Sequence, residues 1–320
     1  MINISGISNI LNKTKTVYVA YSGGLDSSAL LYLCSILRDQ NKIEELKAIH
    51  INHNLSKNSQ NWESHCKKIC TSLGIELISL SINIEKDRDG IEAAARKSRY
   101  EAFSKIVKKD EQLLLAHHAD DVAETILFRL FRGTGIDGLE GPKSIRSIGS
   151  GFLVRPLLKY SKKELHDFIK EKDIKYIEDE TNKESTQDRN YIRNKVLPLI
   201  NARWPNYEKR IQQTSEIIQE RQDIFNSLFK KSYEGLIINN SIDIKALKQL
   251  ELSEAKELFR YIIKRNNLAM PSKKVLDEII KTFYTSTPTK LSTVQWSRAD
   301  KEQKAVAVVF ESGMVKICER

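Results

Sequence analysis

The stretch Ser22-Gly23-Gly24-Leu25-Asp26-Ser27-Ser28 follows directly on the apolar run TVYVAY. Two adjacent glycines let backbone N–H groups turn toward a common centre, and the hydroxyls of Ser22, Ser27 and Ser28 add donors. A helix starting at this point presents its positive end, so strand, loop and helix together make an anion site. The lysine-bearing pattern GxxxxGK[ST] is absent, which excludes the common phosphate-binding loop of NTPases. Asp26 would repel bound phosphates unless a divalent cation stood between them. It therefore reads as a ligand on the Mg²⁺ side, with a helix-start role as the structural alternative.

Further residues carry chemical potential. Asp121 and Glu124 are three apart on a helical pattern and face the same way, a carboxylate pair suited to a cationic amine; a solvated acidic helix start is the competing reading. His117 and His118 precede them, but neighbouring side chains on an extended segment point apart, which argues against joint metal ligation. Arg96 and Arg99 share a face of EAAARKSRY, where Glu92 could pair with Arg96 in an i,i+4 bridge. Cys66 and Cys70, beside His65, have the spacing of small buried thiols on an amphipathic helix, and no CxxC pair occurs in the chain. A GxGxxG at Gly133, Gly135 and Gly138 follows a helical pattern rather than a strand, so it lacks the context of a dinucleotide fingerprint.

These residues need a scaffold, and the pattern supplies one. KTVYVAY, LKAIHIN, ELISLSI and EQLLLAHH read as short buried strands separated by helical stretches. That alternation predicts βαβ units and a doubly wound parallel sheet with its ligand at the carboxyl ends of the strands. RGTGIDGLEGPKS reads as an ordered loop, LVRPLLKYSKKELHDFIKEKDI as strand, Ser-initiated turn and amphipathic helix, and DETNKESTQDRN as a polar loop. From Tyr207 one long helix runs to Gly235, and beyond it helical stretches precede strand alternation in AVAVVFESGMVKIC. The expected division is a catalytic domain over 1–212, then a linker helix and a smaller helical/α+β domain over 213–320.

Composition sets the outer limits. The chain has 320 residues, enough for a substantial core and more than one domain. No apolar run approaches the roughly 20 residues that span a bilayer, and the N-terminal stretch lacks the order of a signal peptide. Four cysteines are too sparse for a disulfide framework. A cytoplasmic protein with no membrane partner is expected. Nine of the ten excess positive charges follow Phe131, which suits a reaction centre joined to a polyanion-gripping surface; a merely basic protein is the alternative. An isologous homodimer is kept as an expectation at the frequency usual for soluble enzymes.

The SGGxDS loop after the first strand resembles the signature of the ATP pyrophosphatases (PP-loop superfamily). The blocks AIHINHNLSKNSQNWESHC, IEAAARKSRY, AHHADDVAETILFRLFRGTGIDGL, RPLL and DETN…DRNYIRNKVLPLI, in that order, resemble the lysidine-forming branch of that family. The tail PSKKVLDEIIKTFYTSTPTKLSTVQW is similar, more weakly, to that branch's small C-terminal domain. The resemblance implies an adenine nucleotide alpha hydrolase-like fold and ATP with Mg²⁺ as cofactors. It implies ATP-dependent ligation of free L-lysine to C2 of the wobble cytidine of tRNA(Ile) with a CAU anticodon, via an adenylated cytidine, releasing pyrophosphate and AMP. Carried onto this chain, it gives Ser22, Gly23, Gly24, Leu25, Asp26 and Ser27 as ATP-binding and Asp121 and Glu124 as lysine-binding. Asp26, Arg193 and an arginine of the EAAARKSRY helix become catalytic, Arg99 favoured and Arg96 kept open. Arg189, Arg193, Lys195 and Arg203, in a basic window over 189–210, read as tRNA-binding, with a solvated basic face as the competing reading. A tRNA thiolase or other adenylating amidotransferase is the rival enzyme, and a non-catalytic nucleotide- or RNA-binding regulator the rival of another class.

Overall fold

The computed structural model describes residues 2–11, 15–53, 58–82, 91–178, 188–297 and 304–320. It divides into two compact units, 1–219 and 220–320.

The first unit is built on β1 (Thr16–Ala20), a run whose first four residues are buried. Its neighbours are β2 (Glu45–Asn52) and β4 (Gln112–Leu114), both parallel to it. With β3 (Glu76–Ser81), β5 (Ile145–Ile148) and β6 (Gly151–Val154), the sheet order is β3-β2-β1-β4-β6-β5. All strands run parallel except β5, which forms an antiparallel hairpin with β6. Alternation along β1 sends Val17 and Val19 into a core with Leu30, Leu33 and Leu37 of α2 (Leu25–Asp39) and Leu165 and Ile169 of α7 (Lys162–Glu171). Tyr18 goes to the opposite face, with Phe103 and Val107 from the end of α4 (Ile91–Ile106). Both sheet faces are thus covered, which is why the strands can be apolar throughout.

The order places β1 between strands whose connections wind in opposite directions. A crevice opens at such a switch point, outside the carboxyl ends of β1 and β4. Two loops meet that crevice: 21–24 leads into α2, and 115–118 leads into α5 (Ala119–Phe131). α8 (Asp188–Tyr191) continues through a π-helical turn (Ile192–Val196) into α9 (Leu197–Arg203). Ile192 and Leu197 bury against Ala123 of α5, so this helical run lies on the acidic helix.

The second unit has its own core. Its antiparallel sheet joins β7 (Ile237–Ile238), β8 (Ser241–Asp243), β9 (Thr293–Trp296), β10 (Val306–Glu311) and β11 (Met314–Glu319) in the order β7-β8-β11-β10-β9. The helix Leu252–Arg265 buries Ala255, Leu258, Phe259, Ile262 and Ile263, an i, i+3, i+4, i+7, i+8 stripe, against that sheet's apolar residues. The helix Tyr207–Tyr233 begins in the first unit and ends in the second.

The four strands and the helices read from the pattern are present. Two features depart from it. The strand read at the start of LVRPLL is the end of β6, which pairs in an antiparallel hairpin with β5, a strand the pattern did not mark, and the loop read over RGTGIDGLEGPKS contains a short helix, Ile136–Leu139. Most of the polar segment DETNKESTQDRN lies outside the described residues, although Asp188 already belongs to α8.

Candidate active site

Loop 21–24 is held by its own hydroxyls. The Ser22 amide donates to Ser27 Oγ at 3.2 Å, the Ser22 and Ser27 hydroxyls stand 3.0 Å apart, and Ser27 Oγ donates to the Gly24 carbonyl at 3.0 Å. The Gly23 carbonyl accepts the Ile177 amide at 2.8 Å, which pins the loop from outside. Gly23 has φ +86°, and a Cβ there would lie 3.0 Å from Cys66 Sγ and 3.1 Å from Ile177 Cδ1. Only glycine takes that conformation and that space without strain. Gly24 is the N-cap of α2 and has no side chain to cap it, so the first-turn N–H groups of the helix point into the crevice without a side-chain acceptor. Those donors suit an anion.

Asp26 stands in that first turn. Its Oδ2 lies 3.6 Å from His118 Nε2, while its Oδ1 is buried with no hydrogen-bond partner among the described residues. An orphaned carboxylate oxygen beside an anion cradle has the chemistry to hold a divalent cation. Among the described residues no group of three or more His, Cys, Asp or Glu side chains forms a ready metal cage. Any such ion would therefore share its coordination with a phosphate ligand or water, as Mg²⁺ usually does.

His118 links the loop to the acidic helix. Nε2 is 3.5 Å from Asp121 Oδ2 and Nδ1 is 3.5 Å from Asp120 Oδ2. Burial disfavours its charge, but the carboxylates of Asp121, Asp120 and Asp26 outweigh that and push its pKa up to about 10. His117 points elsewhere: its Nδ1 accepts a hydrogen bond from Arg155 Nε at 2.9 Å. Burial, together with the Arg155, Arg96 and Arg189 cations, holds it well below the ordinary histidine range. The two imidazoles are pushed in opposite directions, His118 toward its charged form and His117 toward its neutral one, on opposite sides of the chain as the extended backbone dictates.

Asp121 and Glu124 of α5 are engaged. The amide of His118 donates to Asp121 Oδ2 at 3.0 Å. Arg193 grips Glu124 with two bonds, Nε to Oε1 at 2.5 Å and Nη2 to Oε2 at 2.9 Å, and reaches Asp121 Oδ1 at 3.4 Å. Arg189, one turn away, donates to Glu124 Oε2 at 3.3 Å. Glu124 is almost wholly buried, and both arginines are partly exposed. Asp120 has a structural task, accepting the Lys162 amide at 2.7 Å and so tying α5 to α7.

The fold thus brings Asp26, Asp121, Glu124, Arg189 and Arg193 into one ion-paired chain through His118, a residue the pattern singled out only as an improbable metal ligand. Lys195 and Arg203 stay exposed, without an ion pair among the described residues. Arg99 is half-buried on α4, where its cation contributes to lowering the pKa of His53. Cys66 and Cys70 are buried, and burial pushes both thiols up to about 12, so neither is a ready nucleophile.

Residues 3–200 match the PP-loop domain family, and residues 242–306 match the TilS substrate binding domain family. The chain is 35% identical over 291 residues to a tRNA(Ile)-lysidine synthase of Legionella pneumophila (strain Lens), covering 90% of this chain and 66% of that protein. It is 37% identical over 274 residues to one of Buchnera aphidicola subsp. Baizongia pistaciae, covering 85% of this chain and 62% of that protein. The chain therefore spans about two thirds or less of the length of these curated relatives. In fold it is similar to the U34-tRNA thiolase NcsA of Methanococcus maripaludis, with TM-score 0.55 and 17% identity over 68% of this chain and 77% of that one. With the nucleotide-type loop at the switch point and the family match over residues 3–200, the chain belongs to the PP-loop family, and within it is similar to tRNA(Ile)-lysidine synthases.

Proposed function

We propose that this protein joins L-lysine to C2 of the wobble cytidine in tRNA(Ile) with a CAU anticodon, consuming ATP. The single observation that carries this reading is the continuous polar chain from Asp26 through His118 to Asp121, Glu124, Arg193 and Arg189. It joins a phosphate-type loop to a buried acid pair, as a reaction of a nucleotide with a cationic amino acid requires.

The cytidine O2 attacks the α-phosphate: an O–P bond forms, the bond to the β-phosphate oxygen breaks, and pyrophosphate leaves. A lysine amine then adds to C2, the C2–O bond breaks, and AMP carries away the electron pair. Ser22, Gly23, Gly24, Leu25, Asp26 and Ser27 hold the polyphosphate through backbone and hydroxyl donors. Mg²⁺, if held by Asp26, supplies the positive charge that lets this carboxylate sit beside phosphate oxygens. Asp121 and Glu124 receive the lysine cation, which must share or displace the Arg193 and Arg189 guanidiniums now paired with them. A displaced Arg193 is a cation available to the charge developing on the phosphate, and Arg99 or Arg96 serves from α4. Lys195 and Arg203, exposed and without an ion pair among the described residues, contact the tRNA backbone, and the second unit extends that grip.

The experiment supplies ATP, Mg²⁺, lysine and unmodified tRNA together, then omits each in turn. Pyrophosphate formed with tRNA and ATP alone, and AMP released one-for-one with it only when lysine is also present, support the reading. AMP formation that ignores lysine but requires a sulfur donor or glutamine would contradict it and favour the thiolase or amidotransferase alternative.

A further inference from the structure

A second set of cations lies on the same edge of the sheet, and of these only Arg96 was given a role above. Arg146 is exposed on β5, in register with Leu153 of β6. Its guanidinium carbon is 4.8 Å from the centre of the Tyr100 ring, and that of Arg96 is 5.0 Å from it. The Tyr100 ring is braced edge-on by Phe103 at 6.2 Å, and its buried hydroxyl oxygen faces the guanidiniums of Arg146 and Arg155. Arg155 follows the carboxyl end of β6 and is 5% exposed. It is fixed by its bonds to His117 Nδ1 and, from Nη1, to the Lys143 carbonyl at 2.7 Å.

This arrangement is costly as it stands. A guanidinium buried to this degree is ordinarily matched by an anion. Among the described residues neither Arg146 nor Arg155 makes an ion pair with a carboxylate. The consequences run through the neighbours. Burial, then repulsion from Arg146 and Arg96, lowers the pKa of Arg155. Burial would raise the Tyr100 phenol, yet the cations of Arg96, Arg155 and Arg146 bring it below its usual value. A group with several oxygens and negative charge would answer all of these at once, because guanidinium forks match phosphate oxygens and a phenol adds a further donor.

We propose that Arg146, Arg155 and the Tyr100 hydroxyl, with Arg96 above the ring, form a receptor for one phosphate group. Two sources share that chemistry, a phosphodiester of the polynucleotide and a phosphate of ATP. Position favours the polynucleotide. β6 lies two strands from β1 and β5 three, which at ~4.8 Å per strand sets the receptor roughly 10 Å or more to one side of the loop at the head of α2. Arg155 nevertheless touches His117, whose neighbour His118 faces Asp26, so the receptor adjoins the reaction centre. A backbone phosphate held there would fix the target nucleotide against the centre without reading its base. This choice of occupant rests on the proposed RNA substrate; the receptor itself does not.

The test uses full-length protein with Arg146→Ala, whose side chain is exposed, and Tyr100→Phe, which keeps the ring. Binding of CAU tRNA is measured across a potassium chloride series, and binding of a non-hydrolysable ATP analogue in parallel. The expected result for Arg146→Ala is a salt slope shallower by about 0.7–0.9, the signature of one lost phosphate contact, with analogue affinity within about twofold of wild type on the same thermodynamic scale. Tyr100→Phe should weaken tRNA binding in the same direction. Analogue affinity that falls while the tRNA slope holds assigns the receptor to ATP instead. Unchanged slope and unchanged analogue affinity in both variants overturn it. If wild-type protein fails to bind tRNA, the proposed function falls, and the analogue arm still decides the receptor.

Discussion

At the scale of single residues, the proposed chemistry rests on one carboxylate, one glycine and one acid pair. Asp26 stands at the head of α2 with a buried carboxylate oxygen that has no hydrogen-bond partner among the described residues, and its neighbour His118 lies between it and Asp121. Asp26→Ala should therefore lower the rate of product formation by ~10²-fold or more, measured as AMP release in single turnovers; activity near wild type would remove Asp26 from the centre. Gly23→Ala forces a left-handed φ and a crowded Cβ against Cys66 and Ile177. It should cost roughly 1–2 kcal/mol of stability and weaken ATP binding, both visible in a thermal shift with and without nucleotide. Asp121→Asn keeps shape but removes charge; it should raise the lysine KM by about tenfold, a loss of roughly 1.4 kcal/mol, with little change in the ATP KM. Equal losses for both substrates would mean a merely structural acid. The loop and the acids were legible because type and spacing announce them. Their partners were not: Arg193 lies 69 residues from Glu124, and nothing local in either segment encodes that contact.

At the scale of elements, strong periodicity was readable and weak periodicity was not. β1, β2, β3 and β4 are apolar runs bounded by polar residues, and α2 carries a clear buried stripe. β5 escaped because Ile145, Arg146 and Ser147 are all exposed, so no alternation marks it. α7 shows how far local chemistry reaches. Ser161 accepts the Glu164 amide at 3.2 Å, while Glu164 accepts the Ser161 amide at 2.8 Å, a reciprocal cap that the sequence pattern SKKE displays openly. Ser161→Ala should cost about 1 kcal/mol, read from chemical denaturation. Burial works against ionisation of Glu164, yet the Ser161 donors and Lys209 hold its carboxyl below the ordinary 4.5. A folded pKa below the unfolded one gives stability that is present above pH 4.5 and is lost as pH falls through the folded value. Glu164→Gln should flatten that acid-side loss, and an unaltered pH profile would count against the cap's electrostatic share.

At the scale of the molecule, two cored units, 1–219 and 220–320, carry a charge that is nearly balanced up to Phe131 and strongly positive after it. If that excess meets RNA, the logarithm of tRNA affinity should fall with the logarithm of salt at a slope of about −3 or steeper, reflecting roughly four or more neutralised phosphates. A flat response would leave the basic remainder as solvated surface. Net charge was visible from composition, but which lysines and arginines face one partner depends on the folded surface. The most direct measurement is transfer of labelled L-lysine to unmodified tRNA(Ile) bearing a CAU anticodon, with ATP and Mg²⁺, followed by digestion to nucleosides. Label recovered on the wobble cytidine, and lost in Asp26→Ala, is the predicted result. No label on that nucleoside from protein that still binds both ATP and the tRNA would contradict lysine ligation.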